Sequence, residues 1–197
     1  MCVGVGVRVV VLFIVLAILF SSLLLSMLSG SVYNYRVREC SVIVLSIDVS
    51  ANRFFRNTCF YTLDSSSLGY TYRARYIIVI THSAHLPDGR TIIALNEEPD
   101  FFTVYAIDVG DRMYKAILLS DLAKHLSADT IVLVGCLLNG SQVYTAFYMR
   151  ARKVYFYKCN ASLSLVLDDL YRIISGYEPV DKCFDVITYG YESIEER

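Results

Sequence analysis

The feature that most constrains the fold is a series of short apolar runs rich in β-branched residues. Three of them are typical of strands that are buried on both faces of a sheet: residues 41–49 (SVIVLSIDV), 75–81 (RYIIVIT) and 130–134 (TIVLV). A fourth, at 153–157 (KVYFY), also predicts a strand. Segments with helical apolar spacing alternate with them. This alternation predicts an α/β domain with a mainly parallel sheet flanked by helices.

The remaining elements are predicted from apolar spacing and turn signals. Helices are predicted at residues 51–63, 120–126, 141–151 and 163–174. Ser120 and Asp121 are expected to cap the second of these helices, and Gly176 is expected to end the last. A β-hairpin is predicted across residues 91–95 and 101–108, a last strand at 184–189, and loops at 64–69 and 82–90.

A long uncharged segment precedes this domain. Residues 9–28 contain no charged side chain and are long enough for one helix to span a hydrocarbon core of roughly 30 Å. The length favours an uncleaved signal anchor, and a secretory signal cleaved near residues 29–31 is the alternative. We therefore divide the chain into a membrane segment (1–30), a connector (31–40), an α/β domain (41–190) and a charged tail (191–197).

Cysteines and glycosylation sequons bear on the compartment. Sequons begin at Asn139 and Asn160, and five cysteines follow the apolar segment: Cys40, Cys59, Cys136, Cys159 and Cys183. An oxidising compartment would pair four of them. We expect a single-pass protein whose domain lies outside the cytoplasm; a cytosolic domain would instead carry five free thiols.

Composition excludes several classes of protein. The chain is 55% hydrophobic and 19% charged, which excludes an intrinsically disordered protein. The net charge of −1 gives no general basic excess for a nucleic-acid backbone, so we expect no nucleic-acid partner. No glycine-rich phosphate loop follows any predicted strand, so a nucleotide-binding module has no support.

Two predicted strands end in residues that can carry chemistry. His82 follows the strand at 75–81, and Gly135 and Cys136 follow the strand at 130–134. Because parallel strands present their carboxyl ends at one edge, we expect this histidine and cysteine to emerge side by side if the strands are neighbours. An imidazole can stabilise a thiolate or carry its proton. Backbone N–H groups around Ser83, Gly135 and Cys136 would then face a developing oxyanion.

The order of these motifs resembles the caspase-like cysteine peptidases. In that family a strand ends in His-Gly, a hairpin and a helix follow, and a later apolar strand ends in a small residue and the nucleophilic cysteine. The matching stretches here are IIVITHS (77–83), the predicted hairpin, SDLAKHL (120–126) and IVLVGC (131–136). The resemblance implies a three-layer sandwich with His82 and Cys136 as the catalytic dyad. Ser83 replaces the family's glycine, and the caspase signature Gln-Ala-Cys-x-Gly is absent.

Each of these residues also has a structural interpretation. Cys136 alone is typical of a buried structural thiol, and His82 alone of a loop histidine bonded to a carbonyl. Asp48 ends the first predicted strand; it either caps the following element or, as the resemblance implies, favours Arg or Lys in a substrate. His82, His85 and Asp88 are metal-ligand types, but no second cluster completes a zinc site, so we predict no metal and no cofactor.

Disulfides are a further prediction. Cys40 with Cys59 and Cys159 with Cys183 is one of three possible pairings of these four cysteines, and it leaves Cys136 free. The function predicted is therefore a membrane-anchored cysteine peptidase that acts on a peptide or protein substrate. The alternative is a non-catalytic α/β surface domain used for protein binding or assembly, which would have an inert Cys136.

Overall fold

Two β-sheets and three α-helices make up the part of the chain that the computed structural model describes, namely residues 40–55, 58–136, 138–160 and 163–190. The strands are β1 (Val42–Ser46), β2 (Cys59–Thr62), β3 (Tyr72–Ile80), β4 (Ser83–His85), β5 (Thr91–Ala94), β6 (Tyr105–Val109), β7 (Arg112–Leu118), β8 (Leu126–Val134), β9 (Ala151–Tyr157) and β10 (Phe184–Thr188). The helices are α1 (Leu119–Ala123), α2 (Gly140–Phe147) and α3 (Leu163–Ile174). Short 3-10 helices occur at Val49–Phe54 and Ser67–Gly69.

The larger sheet is mixed and mostly parallel, as the alternation of strand and helix predicts. Its six strands have the order β10-β9-β8-β3-β1-β2, and β10 alone is antiparallel to its neighbour. Successive residues of a strand point to opposite faces, so the apolar runs supply two cores. Val166, Leu170 and Ile173 of α3 join the core on one face, whereas Leu122 of α1 and Val143 of α2 join the core on the other.

The smaller sheet is antiparallel and has the order β4-β5-β7-β6. The predicted pairing of residues 91–95 with 101–108 is wrong, because β7 lies between β5 and β6 and pairs with both. The tight turn at Gly110, which has a φ of 63°, joins β6 to β7. The predicted loop at 82–90 is also wrong in part, since Ser83–His85 pairs with β5.

The segment that follows β1 differs from the predicted helix at 51–63. A 3-10 helix covers Val49–Phe54, and Cys59–Thr62 forms β2, which pairs in parallel with β1 at the sheet edge. Aromatic and β-branched residues suit a strand better than a helix, and β2 uses them to extend the sheet. The helix predicted from the apolar spacing of this segment is therefore wrong.

The other three predicted helices are present, but two of them end earlier than predicted. Helix α3 spans the predicted residues, and Gly176 follows it with a φ of 87°. Helix α1 begins at Leu119 without a side-chain cap from Ser120 or Asp121, and residues from Leu126 onwards belong to β8. In α3, Asp168 is exposed but the adjacent Asp169 is buried.

Two disulfides join the four outer cysteines. Cys40 is bonded to Cys59 and Cys159 to Cys183, which is the pairing raised from the sequence. The first joins Cys40, two positions before β1, to the first residue of β2. The second joins the loop after β9 to the loop before β10. Such bonds indicate an oxidising, extracytoplasmic environment.

The predicted membrane segment (9–28) and the charged tail (191–197) lie outside the described residues. Within the described part of the chain, no helix has the length and apolar character needed to cross a membrane.

Candidate active site at the carboxyl edge of the large sheet

The ends of β3 and β8 lie side by side. Ile80 is the register partner of Val134, and the Thr81 N–H donates to the Val134 carbonyl oxygen at 2.9 Å. His82 and Cys136 each follow that register pair by two residues. The histidine and the cysteine therefore leave the sheet at the same edge and from neighbouring strands.

Beyond the ends of β3 and β8, a hydrogen bond from Ser83 connects the two chain segments, and Gly135 leaves the space for it. The Ser83 hydroxyl donates a hydrogen bond to the Cys136 carbonyl oxygen. Gly135 is buried, and a Cβ at its position would lie 2.9 Å from Ser83 Oγ. The absence of a side chain at Gly135 thus makes room for the serine that supports the Cys136 backbone. From the sequence, only the backbone N–H of Ser83 was given a role. The hydrogen bond from its hydroxyl to Cys136 is a second role that was not predicted.

His82 is half-buried and fixed at its backbone. Its carbonyl oxygen accepts a hydrogen bond from the Ala94 N–H at 2.8 Å, and its ring centroid lies 5.5 Å from that of Tyr114. Burial lowers the pKa of His82 below its ordinary value of 6.5. The imidazole is consequently neutral at neutral pH, the state in which it can accept a proton.

Cys136 is the free cysteine of the described residues and is partly exposed. It lies in the turn between β8 and α2, after the buried Gly135. Among the described cysteines, the two disulfides leave this thiol without a sulfur partner. A partly exposed thiol at a strand end is accessible to an electrophile, which a fully buried structural cysteine is not.

A cavity of about 670 Å³ opens beside His82 at the same edge. Asp48, Asn96 and Arg112 supply polar groups to its lining, and Ile80, Val134 and Leu163 supply apolar surface. Its size and mixed lining suit a small molecule or a few residues of a peptide. His82 belongs to the lining of this cavity, whereas Cys136 is not among its described lining residues.

Asp48 caps the element that follows β1, as one of its two interpretations from the sequence predicts. Its carboxylate accepts a hydrogen bond from the Ser50 N–H at 2.8 Å and so caps the 3-10 helix. Asp48 also lines the cavity that contains His82. One oxygen is engaged in the cap, so the second remains available to a cation in the cavity.

Arg112 is a lining residue that the sequence analysis missed. Its guanidinium lies 4.7 Å from the centroid of the Tyr114 ring and donates to Asn96 Oδ1 at 3.5 Å. Arg112 and Tyr114 both belong to β7, the strand that was not predicted. The Gly-Asp turn after residue 109 was the available signal for that strand.

Metal-ligand residues do not cluster near this edge. Among the described residues, no group of three or more His, Cys, Asp or Glu side chains is arranged to hold a metal ion. Of the residues considered for zinc, Asp88 forms an ion pair with Arg90 at 2.6 Å, and His85 Nδ1 lies 3.3 Å from Thr91 Oγ1.

Comparison with known proteins finds no family model and no curated protein that matches this chain.

Proposed function

We propose that this chain is a membrane-anchored, caspase-like cysteine peptidase in which Cys136 is the nucleophile and His82 its proton partner. The observation that carries the proposal is the register of β3 and β8, which brings a histidine and a free cysteine to one sheet edge beside a cavity. Residues 9–28 would be the anchor. The two disulfides support a domain that works outside the cytoplasm.

The order of the elements also supports the proposal. His82 follows β3, antiparallel strands and the short helix α1 come next, and β8 then ends at Gly135 and Cys136. Helix α2, strand β9 and helix α3 complete the order on which the resemblance rests. Helices cover both faces of the mostly parallel sheet, as a three-layer sandwich requires.

The chemistry needs only these two side chains and backbone donors. The Cys136 sulfur forms a bond to the peptide carbonyl carbon while its proton passes to His82. The tetrahedral intermediate collapses to a thioester when the C–N bond breaks and His82 returns the proton to the leaving amine. Water, deprotonated by His82, then attacks the thioester and releases the acid and the thiol. N–H groups near Ser83, Gly135 and Cys136 would stabilise the oxyanion.

Asp48 suggests the preference of such a peptidase. A carboxylate in the cavity lining attracts a basic side chain, so Arg or Lys before the scissile bond is favoured. Arg112, on the same lining, would repel that side chain or bind a substrate carboxylate or carbonyl. The geometry therefore favours a substrate with a basic residue and an oxygen acceptor close together.

A cleavage assay tests this function. The full chain, held in nanodiscs of zwitterionic lipid, is incubated with peptides that carry Arg, Lys, Ala or Asp before a fluorogenic amide. We expect hydrolysis after Arg and Lys, and a loss of about 10²-fold or more in Cys136→Ala and in His82→Ala. Asp48→Asn should reduce the preference for basic residues, and His125→Gln is the matched histidine control.

A non-catalytic binding domain is the second candidate. It is favoured by one observation, namely that the cavity lining includes His82 but, among the described residues, not Cys136. In that case the cavity would bind a peptide without forming a covalent bond. Saturable binding of the Arg and Lys peptides, with no hydrolysis and no effect of Cys136→Ala, would favour this function over the peptidase.

A further inference from the structure

Four arginines lie at the amino ends of the parallel strands of the large sheet, whereas His82 and Cys136 lie at the carboxyl ends. Arg73 and Arg75 lie near the start of β3, and Arg150 and Arg152 lie at the start of β9. All four are exposed. We call them the basic cluster. The chain as a whole has a net charge of −1, so this concentration of positive charge is local and does not reflect a general basic excess.

The register of three parallel strands brings the cluster together. Arg73 is the partner of Ser127 on β8, and the Ala128 N–H donates to the Arg150 carbonyl oxygen at 3.0 Å. Strand β8 thus lies between the two arginine-bearing strands. Since neighbouring strands are about 4.8 Å apart, the backbones of Arg73 and Arg150 are separated by roughly 10 Å. Flexible arginine side chains of this reach can converge on one small anion.

Two adjoining cavities lie among these side chains. One, of about 360 Å³, is lined by Arg73, Arg150 and Arg152, with the small side chains of Ala74, Ala128 and Ala151 beside them. The other, of about 290 Å³, is lined by Arg75, Arg152 and Lys153. Arg152 and Asp129 line both cavities. The arginines therefore border shallow, solvent-open depressions on which a small anion can rest.

The acidic groups nearby do not neutralise the cluster. Asp129 is the carboxylate of the two cavity linings, and it lies 3.8 Å from Arg152 with both side chains largely exposed. Glu178 is engaged by Lys153 at 2.9 Å and by the Tyr155 hydroxyl at 2.8 Å. Four guanidinium groups thus face one carboxylate. Like charges at this spacing repel one another in water, and a bound anion would relieve that repulsion.

We propose that the basic cluster binds phosphate groups. Guanidinium groups are always charged and bind phosphate oxygens through paired N–H donors, which makes arginine the preferred residue for this chemistry. Arg150 is oriented by a hydrogen bond from its guanidinium to the Lys124 carbonyl oxygen at 3.3 Å, and Arg75 lies over the Tyr76 ring at 5.4 Å from its centroid. Both contacts reduce the side-chain freedom lost on binding.

The phosphate group can come from a soluble molecule or from a phospholipid headgroup. The Tyr76 N–H donates to the Ser41 carbonyl oxygen, so the described chain enters the sheet at the edge that carries the cluster. The predicted membrane segment (9–28) precedes this point in the sequence. A lipid source is therefore tested beside a soluble one.

The experiment uses the full chain in zwitterionic nanodiscs. In one arm, pyrophosphate is titrated by calorimetry; in the other, the discs are mixed with separate liposomes that contain or lack anionic phospholipid, and co-flotation is measured. We expect saturable binding in at least one arm. Arg73→Gln with Arg150→Gln should weaken it about tenfold or more, because two charge-assisted contacts are lost. Lys182→Gln, an exposed charge at the other end of the sheet, is the matched control.

Asp129→Asn keeps the proposal testable if the arginine variants fold poorly. Removing the carboxylate should tighten binding several-fold, an effect that a merely structural role of Asp129 does not produce. If pyrophosphate binds, a soluble phosphate compound is sufficient as the ligand. If only the anionic liposomes bind, the ligand is a phospholipid headgroup. Absence of binding in both arms, or equal binding by the double arginine variant and the Lys182→Gln control, would overturn the proposal.

Discussion

Ser83 stands where the resemblance has glycine, and the structure gives this serine a definite role. Its hydroxyl donates to the Cys136 carbonyl oxygen, and its Oγ occupies the space that a side chain at position 135 would need. The backbone of Gly135 has no positive φ, so its requirement for glycine is steric and not conformational. Ser83 and Gly135 therefore act as a pair.

Gly135→Ala should destabilise the protein by about 1–3 kcal/mol, because the new Cβ displaces Ser83 Oγ and breaks its hydrogen bond. The same substitution in a Ser83→Gly background should cost much less, since the nearest remaining atom, the Thr81 carbonyl oxygen, is 3.5 Å away. Chemical unfolding of the two single variants and the double variant measures this coupling. Strictly additive losses would contradict the account.

His82 makes a second prediction at the residue scale. Its pKa is lowered by burial, so between the folded pKa and about 6.5 the unfolded chain binds more protons than the folded chain. The contribution of neutral His82 to the free energy of unfolding is therefore complete above about 6.5 and is lost as the pH falls through that window. NMR titration of the His82 ring should give a pKa below 6.5 in the folded protein and an ordinary value in urea. A folded pKa above 6.5 would show that the imidazole is solvated or paired with an acid.

At the scale of elements, α3 holds the polypeptide that leads to β10. Asp169 is only 6% exposed, and its two carboxylate oxygens accept hydrogen bonds from the Val180 N–H at 2.7 Å and the Asp181 N–H at 2.9 Å. Asp181 in turn accepts from the Cys183 N–H at 2.8 Å, next to the second disulfide. A buried carboxylate thus organises a loop that has no regular structure.

Asp169→Asn should reduce the free energy of unfolding by about 1–3 kcal/mol, because the amide NH₂ cannot accept from a backbone donor. Asp168→Asn is the matched control, because the Asp168 side chain is exposed. This substitution should change the free energy of unfolding by less than about 0.5 kcal/mol. Denaturant unfolding of both variants measures the difference. Equal effects of the two substitutions would show that the loop contacts contribute nothing.

The elements also show which parts of the fold could be predicted from the sequence. The core strands and α3 were predictable because burial on both faces or on one helical face leaves a clear apolar pattern. Strands β2 and β7 were not, since β2 lies at an edge and β7 is half-exposed, with Arg112, Met113 and Lys115 in its sequence. Because β7 was not predicted, Arg112 and Tyr114 were not placed in the candidate site, whereas His82, Cys136 and Asp48 could be proposed from the ends of predicted strands.

For the whole molecule, the cysteines bear on the stability of the fold, on the compartment in which it works and on the candidate site. One disulfide ties the outer strand β2 to the segment before β1, and the other joins the segments after β9 and before the outer strand β10. Each is expected to contribute about 2–4 kcal/mol. Cys136 remains free within the described part of the chain, between β8 and α2. The basic cluster lies at the other edge of the same sheet, so the two proposed sites can be tested by separate variants.

The reactivity of Cys136 towards a thiol alkylator, measured across pH in the full chain with Cys2→Ser, tests the central proposal most directly. Fast labelling near neutral pH, slowed roughly tenfold by His82→Ala, is predicted if the imidazole assists formation of the thiolate. Slow labelling with the pH profile of an ordinary thiol, unchanged by His82→Ala, would contradict the proposed dyad.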